Sequence, residues 1–239
     1  MLIRTLNRVR SVARRYLVTG RFRANPSSII DRFFGGKDCF FVQVGANDGV
    51  TGDPLHNLVK ANLRWRGIFI EANDEVFEKL FKNYPAEDRF AFENVAISES
   101  DADRCFYYVS QDTVRKFNLD GADTIGSFNR DHVLKFIPRA NLDGPIDDYI
   151  SVKNVRCQTL MSVLHKHHVE SIDLFYVDVE TYDYHVLKQI DFQQFRPKLI
   201  LYEHCNLSPS DLHGAEALLT GQGYRLAKGG RDTVAVSRG

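Results

Sequence analysis

Two hydrophobic periods alternate along this chain. Residues 40–44, 67–70, 90–97, 172–177 and 199–202 are short apolar runs, the pattern of strands buried on both faces of a sheet. Between them, apolar residues return every three or four positions. Leu55, Leu58, Val59 and Leu63 form such a stripe behind Asp53-Pro54, a cap and first-turn pair. Val76, Phe77, Leu80 and Phe81 follow a cap at Asp74, and Leu160, Met161 and Leu164 follow one at Thr159. Residues 184–190 read as a further helix. Ser208-Pro209 opens a last one, which Gly221 or Gly223 ends. Strands and helices in alternation predict an α/β domain with a mostly parallel sheet.

The alternation breaks once, at residues 98–171. This stretch holds a strand at 105–109, a loop rich in Asp and Gly, and an apolar-polar segment at 128–136. A parallel crossover needs only about a dozen residues, so an insertion this long is expected to be a lid or a substrate wall. Nearer the N-terminus, a linker at 25–28 precedes a short helix at 29–34, which Gly35-Gly36 stops. The expected organisation is a basic extension at 1–28 and one domain at 29–239, with the insertion at about 98–171 inside it. A chain of 239 residues can close around a single core.

Charge adds one asymmetry. The chain has 31 basic and 31 acidic residues. Seven of the basic ones (Arg4, Arg8, Arg10, Arg14, Arg15, Arg21 and Arg23) stand among the first 25 residues, where there is no acid. The remainder is therefore net acidic, which argues against nucleic acid as a partner. Leu2, Leu6, Val9, Ala13, Tyr16 and Leu17 fall at helical spacing between the arginines. Such a basic amphipathic helix suits packing on the acidic body, peripheral contact with an anionic membrane, or organelle targeting. No apolar stretch approaches the roughly 20 residues of a membrane span. The N-terminus lacks the apolar core of a signal peptide, and Cys39, Cys105, Cys157 and Cys205 form no C-x-x-C pair. A cytoplasmic protein with reduced thiols is the expectation. The oligomeric state is left open.

The chemistry concentrates where the first strand ends. Residues 40–49 read Phe-Phe-Val-Gln-Val-Gly-Ala-Asn-Asp-Gly, and the second strand ends in Glu71. Strand, glycine loop, helix, strand, acid is how an α/β fold holds a nucleoside. A dinucleotide loop is written G-x-G-x-x-G. Here Asn47 replaces the middle glycine, and Asp48 would repel a pyrophosphate. An acid there suits a ligand amino group, and Glu71 can accept hydrogen bonds from both ribose hydroxyls. S-adenosyl-L-methionine meets each demand. The plainer reading is a tight turn at Gly45 and Gly49 beside a solvated Glu71.

The sequence resembles the FkbM family of S-adenosylmethionine-dependent O-methyltransferases over about residues 38–237. The likeness rests on Phe41 to Gly49, Phe69-Ile70-Glu71-Ala72, Glu93 to Ser98, Ile172 to Glu180 and Pro197 to His204. It implies a Rossmann-like class I methyltransferase fold: a mostly parallel seven-stranded sheet, helices on both faces, and an antiparallel last strand from a closing pair at 224–227 and 233–236. It implies a cofactor site of Gln43, Gly45, Asn47, Asp48, Gly49, Glu71, Ala72, Asn94 and Ala96, with Ser127 over the methionine end or the substrate. Gln43 stands where family members often carry an acid. Thr181 stands where they carry a glycine, and its β-branched side chain makes a positive φ costly.

Methyl transfer to a hydroxyl needs alignment and a base. Asp178, Glu180 and His204, just past core strands, are the catalytic candidates, with Glu203 and His185 behind them. Each also has a structural reading as a helix cap or a backbone-bonded histidine. Asp178, Glu203 and His204 also suit a divalent cation by residue type, but no metal is predicted. The expected acceptor is a hydroxyl of a small polar, sugar or glycosylated molecule, a class that comes from the resemblance alone. The rivals are a nicotinamide-dependent oxidoreductase, disfavoured by Asn47 and Asp48, and a non-catalytic methyltransferase-like module, to which only Thr181 points.

Overall fold

A computed structural model describes residues 25–84, 88–119, 125–140 and 142–238. The arginine-rich segment lies outside the described residues. Helix α1 (Pro26–Phe34) leads into strand β1 (Cys39–Val44). Then follow α2 (His56–Ala61), β2 (Trp65–Ile70), α3 (Asp74–Asn83), β3 (Phe90–Glu93) and the short β4 (Ala96–Ile97). The insertion contributes β5 (Arg104–Val109), α4 (Gln111–Phe117), β6 (Gly126–Ser127), α5 (Arg130–Leu134) and β7 (Ile150–Val155). The chain closes with β8 (Cys157–Gln158), α6 (Leu160–Lys166), β9 (Leu174–Val177), α7 (Asp183–Leu187), β10 (Leu199–Glu203), α8 (Pro209–Gly221), β11 (Tyr224–Lys228) and β12 (Asp232–Ser237).

Seven strands form one sheet in the order β11-β12-β10-β9-β1-β2-β3. All neighbours are parallel except at β12, which runs antiparallel to both β10 and β11. The side-chain alternation of each strand divides the core. Val42, Val44, Ile68, Ile70, Phe175 and Val177 face one layer of helices, and Phe41, Phe69, Leu174, Tyr176 and Leu201 face the other. That is why these strands are apolar without a break. Val44 lies level with both Ile70 and Val177, so the loops after β1, β2 and β9 leave the sheet side by side. The strand order reverses between β1 and β9, and a ligand cleft opens at such a switch point.

The insertion folds as a small antiparallel sheet, β6-β5-β7, over its own cluster of Val109, Val133, Ile137 and Tyr149. Several sequence expectations shift. The strand expected over 90–97 breaks at Asn94-Val95, because Ala96 and Ile97 leave the main sheet to pair with β8. Asn73, not Asp74, caps α3, its side chain accepting from the Glu75 N–H. Helix α2 starts two residues beyond Pro54 and ends at Ala61, which leaves Leu63 77% exposed instead of buried. Phe81 is 48% exposed and rests edge-on against Phe92. The four cysteines are free thiols. Among the described residues no helix is long and apolar enough to cross a membrane.

Candidate functional site

The loop after β1 is built on left-handed backbone. Gly45 has φ 78°, and a Cβ there would sit 1.9 Å from the Asp178 carbonyl oxygen. Only glycine lets β1 and β9 leave the sheet this close together. Asn47, at φ 51°, is a residue type that tolerates the left-handed region, and its side chain accepts from the Asp48 N–H at 2.6 Å. Gly49, at φ 70°, turns under the Tyr84 ring, which a Cβ would meet at 2.5 Å.

Glu71 ties this loop to the next. Its carboxylate accepts the Asn47 N–H and the Asn73 N–H, each at 2.8 Å. Burial pushes its pKa up, and the two N–H donors work against that. Asn94 donates its amide to the Glu71 and Ala72 carbonyls at 2.9 and 3.4 Å. It therefore braces the neighbouring strand end and does not face the cleft.

The cleft is lined by Gln43, Gly45, Asn47, Glu71, Ala72, Ala96, Asp178 and Glu180 among the sequence candidates. Asp53 lines it as well, together with apolar walls at Val95, Phe106 and Phe128. Four carboxylates (Asp53, Glu71, Asp178 and Glu180) border it, and among the described residues no Lys, Arg or His does. Two buried acceptors on its wall, Gln43 Oε1 and Asp53 Oδ2, have no hydrogen-bond partner among the described residues.

The remaining candidates are held elsewhere. Asp48 turns its carboxylate back into its own loop, accepting from the Val50 N–H, the Thr51 N–H and the Thr51 hydroxyl at 2.7–2.8 Å. These bonds outweigh burial and lower its pKa. Asp48 does not line the cleft, where the sequence expectation placed it. Ser127 donates to the Glu180 carbonyl at 2.7 Å and accepts the Asn129 N–H at 3.0 Å. Its role is to hold the Glu180 turn to the insertion. His204 bonds through Nδ1 to Thr233 Oγ1 at 3.1 Å and lines no cleft described here.

Asp178, Glu180 and Glu203 offer carboxylate oxygens within 4.8 Å of one another. Glu180 replaces His204 in the trio considered for a cation. These charges already have partners. Arg231 grips Glu203 Oε1 through Nε at 3.0 Å and through a second guanidinium nitrogen. Asn206 bridges Glu203 and Glu180 at 2.6 and 2.9 Å. His132, 1% exposed, meets Glu180 Oε2 at 2.7 Å. Burial, then the charges of Glu203 and Glu180, raise the Asp178 pKa well above the carboxylate range. The Tyr176 hydroxyl donates to Asp178 at 3.1 Å.

Residues 43–226 match the methyltransferase FkbM domain. The chain belongs to the FkbM methyltransferase family. It is an S-adenosylmethionine-dependent methyltransferase, and its sheet order is that of the expected Rossmann-like fold. Among solved structures it is similar to a fibrillarin/Nop5p complex chain at 12% identity, over 89% of this chain and 79% of that one, with a TM-score of 0.43. It is also similar to an S-adenosylmethionine-dependent O-methyltransferase from Thermotoga maritima, at 8% identity over 95% and 71% of the two chains and a TM-score of 0.45. A human methyltransferase 10 domain containing protein shares 14% identity over 98% and 81%, with a TM-score of 0.39. No curated protein matches the sequence.

The methyltransferase has a second cleft beside the first. Phe128 and Tyr182 line both, so their rings, 5.1 Å apart and edge-on, form the partition. Arg104 lies over Phe128 at 4.1 Å and donates to the Tyr182 hydroxyl at 3.0 Å, which fixes the partition in place. Arg130, Lys135, Asp131, His185 and Asn206 supply polar groups around the second cleft. Asp53, His132, Asn206 and Arg231 escaped the sequence reading. Asp53 was legible only as a helix cap, and the other three reach the site from distant elements with no local motif around them.

Proposed function

We propose that this methyltransferase transfers a methyl group to a hydroxyl of a small polar, sugar or glycosylated acceptor. The observation that supports its cofactor is the cleft wall of four carboxylates, with no basic side chain among the described residues. Such a wall attracts a cationic nucleoside and repels the phosphates of a dinucleotide. The residues fit S-adenosylmethionine: Glu71 for the ribose hydroxyls, Val95 and Ala96 for the adenine face, and Gln43 with the Gly45–Asn47 backbone toward the methionine end. That cofactor supplies an electrophilic methyl group on a sulfonium. The protein's part is to orient the acceptor and remove its proton, and alignment of this kind is worth about 7 to 11 kcal/mol.

Glu180 is the base in this reading. It borders the first cleft, while Asn206, bonded to its carboxylate, borders the second. His132 and Asn206 fix the orientation of that carboxylate. Asp178 is set aside as the base, because burial and then the charges of Glu203 and Glu180 raise its pKa and make it give up its proton less readily in the free enzyme. Tyr107, Phe128 and Tyr182 give the second cleft aromatic faces beside polar groups, a lining that suits a sugar ring.

The test is turnover with labelled S-adenosylmethionine and a panel of hydroxylated acceptors, with the methylated atom located by mass spectrometry and NMR. Glu180→Gln is expected to lower kcat by about 10² to 10⁴-fold, with a much smaller loss of cofactor affinity. Methylation at nitrogen or carbon, or an unchanged kcat in Glu180→Gln, would overturn the proposal.

A further inference from the structure

Several buried side-chain polar atoms lack a partner among the described residues, but only Gln43 Oε1 and Asp53 Oδ2 belong to residues lining the cofactor cleft. Gln43 is 1% exposed at the end of β1. Asp53 is fixed by its other oxygen, Oδ1, which accepts the Leu55 N–H at 2.7 Å. The Gln43 amide N–H also stabilises the charged form of the Asp53 carboxyl. Both atoms are acceptors when the Asp53 carboxyl is charged. Leaving a buried acceptor unmade is costly, so a donor entering from the cleft would be held by the charged pair.

We propose that Gln43 Oε1 and Asp53 Oδ2 together receive the α-ammonium group at the methionine end of S-adenosylmethionine. The proposal rests on the cofactor reading above and assigns Asp53, a residue outside the cofactor candidates, to that site. An ammonium carries three N–H donors and a positive charge, which meets two orphaned acceptors, one of them a carboxylate. Asp48 is not placed to serve, because its carboxylate is turned into its own loop by Val50 and Thr51 and does not line the cleft. Burial pushes the Asp53 carboxyl up to about 7 in the free protein. A cation at Oδ2 would return it to the charged form. Gln43 standing where an acid often stands in the family thus leaves the site with one carboxylate, supplied from the loop before α2.

The full chain is titrated calorimetrically with two probes. S-adenosylhomocysteine carries the amino acid end, and 5′-methylthioadenosine keeps the adenosine and sulfur without it. Asp53→Asn keeps the size and the Leu55 bond but removes the charge. It is expected to weaken S-adenosylhomocysteine by about tenfold or more and to leave 5′-methylthioadenosine within about threefold. Gln43→Leu gives the same split by an independent route, should Asp53→Asn fold poorly. Equal binding of S-adenosylhomocysteine to wild type and both variants would overturn the proposal, as would equal losses for the two probes. If wild type binds neither probe, the cofactor reading falls first and the ammonium site with it.

Discussion

Thr181→Gly is expected to stabilise the protein, although it removes a side chain. Thr181 has φ 86°, directly after Glu180 at φ 50°. A β-branched residue in this region crowds its own carbonyl, and such strain is worth on the order of 1 to 3 kcal/mol. The compensating contact is weak: the Thr181 hydroxyl lies 3.4 Å from Ser127 Oγ, which already donates to the Glu180 carbonyl at 2.7 Å. Glycine returns about 0.4 to 1 kcal/mol to the unfolded chain as conformational freedom. The balance is a gain of about 1 kcal/mol, which for a chain of this size raises Tm by roughly 2 to 4 °C. Guanidinium unfolding of the ligand-free protein reads this as a higher midpoint with an unchanged slope. A loss of about 1 kcal/mol or more would refute the strain argument. Thr181 borders the second cleft, so the same variant is expected to change KM for the acceptor more than cofactor affinity.

Gly45→Ala places a Cβ 1.9 Å from a backbone oxygen on the neighbouring strand end, so it should lower Tm and abolish S-adenosylhomocysteine binding; retained binding by calorimetry would show that the loop is not set by this approach. Asp48→Ala removes an acceptor from two N–H groups and a hydroxyl, and should cost about 0.5 to 2 kcal/mol of stability in urea unfolding. Asp48→Asn should lose less and keep cofactor affinity near wild type; a large selective loss of affinity would return Asp48 to the ligand site. Stability of the free protein should fall as pH rises from about 4 to 7, because Asp53 titrates near 3.8 unfolded and at about 7 folded, so the folded state binds more protons in that window. Asp178 and Asp183, whose pKa values burial also raises, act with the same sign. Asp53→Asn should therefore gain stability over wild type at pH 8 and not at pH 4, by up to about 4 kcal/mol; a pH-independent difference in unfolding free energy would contradict the assignment.

The main sheet was legible because its strands are buried on both faces and read as apolar runs. Glu71 was legible because it follows such a run at the right distance from Gly45. The ends of elements were harder. Leu63 continued the helical period of α2, but the helix stops at Ala61 and the residue lands in solvent. The apolar run at 90–97 concealed a change of sheet at Asn94-Val95, where backbone pairing to β8 wins over continuity. Side-chain direction was least legible. Asp48 and Asp53 are both acids in one loop, and sequence favoured the first. Local hydrogen bonds to Val50 and Thr51 turn Asp48 inward, while Asp53 reaches the cleft. His132 and Arg231 meet Glu180 and Glu203 across long chain separations, which no local spacing encodes.

A crystal structure of the full chain with S-adenosylhomocysteine tests the cofactor site most directly. The predicted result is a ribose whose two hydroxyls donate to Glu71, an adenine beside Val95 and Ala96, and an amino group on Gln43 and Asp53. A ribose bound away from Glu71, with the amino group on Asp48, would contradict it.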